Sequence, residues 1–65
     1  MSDYNAEKLS HDYLEERKPK DTISKSNLEG WVMITYHVKQ MTSQIRQIVN
    51  DVIDVLKNFG WKIGQ

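Results

Sequence analysis

The chain has no cysteine, one proline and three glycines in 65 residues. Without cysteine there are no disulfides, although a chain this short buries only about 60% of the surface it exposes when unfolded and small scaffolds usually need some such staple. The same absence is compatible with a reducing compartment, so a cytoplasmic location is expected. Glycines at 30, 60 and 64 are too scattered for a phosphate-cradling loop, and there is no nucleophile elbow or His-Glu metal motif. Net charge is also missing, because nine basic and nine acidic side chains cancel. No overall field therefore draws in nucleic acid or an anionic membrane. The longest uncharged stretch, Gly30 to Val38, falls far short of the roughly 18 apolar residues of a spanning helix. Asp3, Tyr4, Asn5 and Glu7 near the start do not resemble an export signal.

What is present is helical patterning. Ala6, Leu9 and Tyr13 lie three and four residues apart, which predicts a short amphipathic helix over 2–17. Ser2 or Asp3 can cap its start, and Pro19 disfavours helical geometry at Lys18. A polar linker follows over 18–25. Ser26 and Glu29 then form a capping-box pattern that opens a long helix over 26–59. Its apolar seam runs through Trp31, Ile34, Val38, Met41, Ile45, Ile48, Val52, Val55 and Phe59 in alternating steps of three and four. Val49 and Leu56 widen the stripe in its second half. Gly60 suits the left-handed position just past the helix, and Trp61 can fold back on Leu56; residues 60–65 form a tail.

The competing reading makes 31–38 a strand, since Val32, Ile34, Tyr36 and Val38 alternate with the residues between them and the segment is rich in β-formers. Such a strand needs a partner, and only short pieces around Ile23 and Ile63 offer one. The expected fold class is therefore all-α, a helical hairpin, with an α+β fold carrying a strand at 31–38 as the alternative.

A helix from Asn27 to Phe59 would be roughly 50 Å long, whereas a compact chain of this length has a radius of gyration near 11 Å. The first helix is too short to cover such a seam, so a second chain is expected to do so. Val38, Ile45 and Val52 at a-like positions, and Ile34, Ile48 and Val55 at d-like ones, are β-branched. That mixture favours a bundle of more than two helices, or an antiparallel dimer of hairpins, over a two-stranded zipper. Trp31 reads chiefly as core, Trp61 equally as core or interface anchor. Val32, Met33 and Tyr36 fall outside the seam, which makes the start of the long helix apolar nearly all round and a docking place for the first helix or for a second partner.

The candidate chemistry is thin. Glu7, His11 and Glu15 share a face of the first helix, but a metal site would need ligands from a facing helix, where only Asp51 and Asp54 are on offer; a solvated ion-paired face is the better account. His37 has no serine or carboxylate set by spacing to make it a base, and reads as a polar flank of the seam. Arg17, Lys18 and Lys20, with Lys25, form a short basic cluster flanked by Glu15, Glu16 and Asp21, and read as a solvated linker. No catalytic, cofactor or metal residues are expected, and no enzyme. The expected function is an interaction or assembly module binding itself or another protein through Trp31, Ile34, Val38, Met41, Ile45, Ile48, Val49, Val52, Val55, Leu56, Phe59 and Trp61. The alternative is a small oligomeric nucleic-acid-binding regulator touching phosphate through the basic linker, Lys39 and Arg46.

Overall fold

The computed structural model describes residues 5–64, and the chain is mostly helical with one small sheet. Helix α1 is Ala6–Arg17, strand β1 Thr22–Ser24, helix α2 Lys25–Thr35, helix α3 Ser43–Asn58 and strand β2 Lys62–Gly64. The long helix expected over 26–59 is thus two helices separated by residues 36–42. This break reconciles the length of the apolar pattern with a compact chain, whose radius of gyration is 11.0 Å.

The break has a definite cause. Tyr36 is the last near-helical residue of α2, and His37 turns into the left-handed region at φ 58°. The Val38 amide donates to the Met33 carbonyl at 3.0 Å and the His37 amide to the Ile34 carbonyl at 3.1 Å. These are the two bonds of a Schellman stop, here built on histidine rather than glycine. Val38 and Met33, which such a stop brings together, both pack against the core. Helix α3 then starts afresh at Thr42, whose hydroxyl accepts from the Ile45 amide at 3.1 Å.

The other ends follow similar rules. Asn5 caps α1, its side chain accepting from the Glu7 and Lys8 amides; the caps expected at Ser2 and Asp3 lie outside the described residues. Helix α1 ends at Arg17, with Lys18 left-handed at φ 49° and its amide on the Leu14 carbonyl. Helix α2 is capped by Ser24, not Ser26. The chain leaves β1 in extended geometry at Ser24 and turns helical at once, so Ser26 falls inside the first turn. At the end of α3, Gly60 takes φ 98°, the Gly60 amide meets the Lys57 carbonyl and the Trp61 amide the Leu56 carbonyl. This is the stop expected there.

Strands β1 and β2 pair in parallel, with Ile23 opposite Ile63. The linker 18–25 and the tail 60–65 therefore contribute a sheet that was not anticipated. The segment 31–38, the alternative strand, is helical as far as Thr35. Helix α3 packs on both α1 and α2. The shared core holds Leu9, Tyr13, Ile23, Leu28, Trp31, Val32, Ile45, Ile48, Val49, Val52, Ile53 and Leu56. Tyr13 meets Trp31 edge-on with ring centroids 5.4 Å apart. Each ring's polar atom is satisfied, the Tyr13 hydroxyl donating to Asn27 Oδ1 at 3.0 Å and Trp31 Nε1 to Glu16 Oε1 at 2.7 Å. Burial pushes the Tyr13 phenol above its usual pKa, against a smaller downward pull from Arg17. Among the described residues no helix is long and apolar enough to cross a membrane.

Candidate functional site: the corner between the second and third helices

Of the seam residues, Trp31, Ile45, Ile48, Val49, Val52 and Leu56 lie in the chain's own core. Val38, Met41 and Trp61 are partly buried against it, and Val55 is half-buried. Only Ile34 and Phe59 stand clearly in solvent, at 67% and 47% exposure. The apolar face of α3 is thus covered by α1 and α2. The premise that a second chain must cover the seam goes with the continuous helix.

What α3 leaves outside is informative. In its first half the exposed residues are Ser43, Gln44, Arg46, Gln47 and Asn50, a sequence of hydrogen-bonding groups with one cation. The turn before it adds exposed His37, Lys39, Gln40 and Thr42. Between Glu29 and Asp51 the chain carries no carboxylate, while Lys39 and Arg46 both fall in that interval. The acids lie outside this interval, with Glu7, Asp12, Glu15 and Glu16 on α1 and Asp51 and Asp54 in the second half of α3. One side of the corner is a groove of about 350 Å³ with Tyr36, Val38, Ile45 and Ile48 along it and Thr42, Gln44 and Gln47 at its edge. Gln47 Nε2 donates to Asp51 Oδ1 at 3.2 Å. A carboxylate only accepts, so this contact fixes the amide orientation and leaves Gln47 Oε1 available as an acceptor.

The residues weighed for other chemistry are scattered. Glu7, His11 and Glu15 are exposed on α1, and His11 lies against the Phe59 ring with centroids 5.8 Å apart. Among the described residues no group of three or more His, Cys, Asp or Glu side chains is placed to hold a metal ion. A wider groove of about 570 Å³ beside β2 is lined by Lys25, Asn50, Ile53, Asp54, Lys57, Ile63 and Gly64, a mixed-sign surface without a distinct chemical bias. In the sequence Lys39 and Arg46 stand as phosphate contacts for the alternative function alone, and the amides of Gln44, Gln47 and Asn50 carry no role there. The run from Gly30 to Asn50 contains no acid. Comparison with family models, with curated proteins and with solved structures finds no match for this chain.

Proposed function

We propose that this chain is a non-enzymatic nucleic-acid-binding module that presents the first half of α3 to a duplex. The observation carrying this reading is the exposed polar run of Ser43, Gln44, Arg46, Gln47 and Asn50 at the start of α3, which has no acid until Asp51, held by Gln47, and Asp54 in the next turn. Two consecutive helices, the second exposing polar residues at its start, are similar to the helix-turn-helix arrangement that lays a helix in the major groove, with a longer connection over 36–42 in place of the short turn. That groove is about 12 Å wide and admits a helix with its side chains. Lys39 and Arg46 supply phosphate contacts on either side of the α3 start, where the free amides of the first turn also favour an anion. The acids of α1 belong to a different helix from the contact surface.

With two phosphate contacts, log affinity falls against log salt with a slope of about −1.8, or about twelve-fold between roughly 50 and 200 mM salt. Fluorescence anisotropy with a labelled duplex at low salt tests this. Binding that weakens with about that slope, and disappears in Lys39→Glu with Arg46→Glu, supports the reading; no binding at low salt overturns it.

A second reading keeps protein–protein interaction, and one observation favours it: Ile34 and Phe59 are large apolar side chains left in solvent. In this reading Ile34, with half-buried Val38 and Met41, marks one contact and Phe59 with Trp61 another, either for a second copy or for a different protein. Light scattering coupled to size exclusion separates the two. A concentration-dependent multimer that Ile34→Asp dissolves would favour assembly. Substituting Ile45 or Ile48 would not serve, since both are core residues of the single chain.

A further inference from the structure

Resting on the nucleic-acid reading, we infer that the α3 surface is directed at runs of adenine in the major groove of DNA. Gln44, Gln47 and Asn50 are all exposed and follow one another at steps of three, so they form one ridge along the helix. Each carries a carboxamide, the group that pairs bidentately with adenine by accepting from N6 and donating to N7; a guanine-directed surface would instead be rich in Arg or Lys. From Gln44 to Asn50 the ridge spans about 9 Å at about 1.5 Å per residue, against about 3.4 Å per base step. Three amides therefore address two or three consecutive adenines on one strand.

Gln47 is already oriented for this. Its Nε2 holds one hydrogen on Asp51 at 3.2 Å, which leaves the second hydrogen for N7 and Oε1 for the N6 amine. Arg46 sits on the neighbouring ridge, where it reaches phosphate or a flanking guanine. The occupant is duplex DNA rather than duplex RNA, whose deep and narrow major groove side chains cannot read. Lys39, Arg46 and the three amides fall between Glu29 and Asp51 in the sequence, and the Asp51 carboxylate that bounds the ridge is engaged by Gln47.

The test selects from a random-sequence duplex DNA pool with the full chain, then measures the enriched duplex, an unrelated duplex and duplex RNA by anisotropy. Expected are enriched sites with two or three adjacent adenines, about a five- to hundred-fold loss on them in Gln47→Leu, and a similar loss when 7-deazaadenine replaces adenine. Binding to the unrelated duplex, to which Lys39 and Arg46 contribute phosphate contacts, is the reference against which that loss is read, and the loss on adenine sites should exceed any loss on it. Gln47 is exposed, and an unchanged thermal midpoint confirms that the variant folds. Duplex binding without base preference, or enrichment of G·C runs, overturns the inference and leaves the binding function standing. Equal binding of duplex RNA also overturns it, whereas no duplex binding at all removes the function on which it rests.

Discussion

Replacing His37 by glycine should stabilise the protein, and the sign of that effect tests the break between α2 and α3. His37 holds φ 58°, a conformation that costs an L-residue roughly 1–2 kcal/mol. Glycine escapes that cost but loses about 0.5–1 kcal/mol more backbone entropy on folding. The net expectation for His37→Gly is a gain of about 0.5–1 kcal/mol, or a rise in thermal midpoint of about 2–8 °C for a domain of this size. His37→Ala keeps a Cβ in the left-handed region and should stay close to the parent. A continuous helix through this position would order the three residues the other way. Alanine would then be the most stable and glycine the least, below histidine by about 0.3–0.5 kcal/mol. The side chain is exposed, so packing does not obscure the comparison. Thermal and urea unfolding followed by circular dichroism give the order directly. Alanine above glycine at 37 would refute the left-handed stop and restore the single long helix.

Leu56→Ala, at a fully buried core position, should cost about 2–5 kcal/mol. That is much of the total stability of a domain this size, so loss of a cooperative unfolding transition is the expected readout. Gly30→Ala should add about 0.5–1 kcal/mol, read as a higher urea midpoint, because Gly30 lies inside α2 and a Cβ there meets nothing within 4 Å. The raised pKa of Tyr13 means the folded state holds that proton longer than the unfolded chain does. Its contribution is complete below the ordinary tyrosine pKa near 10 and is lost as pH rises through the folded value. Phenolate absorbance should accordingly show a late-titrating group that disappears in Tyr13→Phe, and an alkaline loss of stability that this variant reduces.

The helical content and the stops at Arg17 and Gly60 were legible because proline and glycine mark them directly. The break at 36–42 was not, because histidine fills the position where glycine usually signals a stop, and because the steps of three and four continue across it. Val38 and Met41 keep that rhythm from outside any helix, since both pack on the core from the connecting turn. Thr42 was the overlooked restart signal, a hydroxyl just ahead of an apolar-periodic run. The sheet was half-legible. Ile23 and Ile63 stood out as β-formers, but strands of three residues carry too little pattern to reveal that they pair with each other. The proposed contact surface was the hardest to see, for a run of exposed amides stands out only once the opposite face of α3 is known to be buried.

The parallel pairing of Ile23 with Ile63 also bears on the order in which this protein assembles. The packing of α1 on α3 also joins elements that are not neighbours along the chain, but the pairing of β1 with β2 closes the larger ring, one containing both α2 and α3. Closing a loop of such length costs on the order of 3 kcal/mol in chain entropy, and three-residue strands return little until the helices between them are in place. The clasp should therefore be the last part to form and the first to open. A pull on the end of β2 would release the strand before disturbing the helices, and the corner that faces outward would keep its shape while the ring stood open.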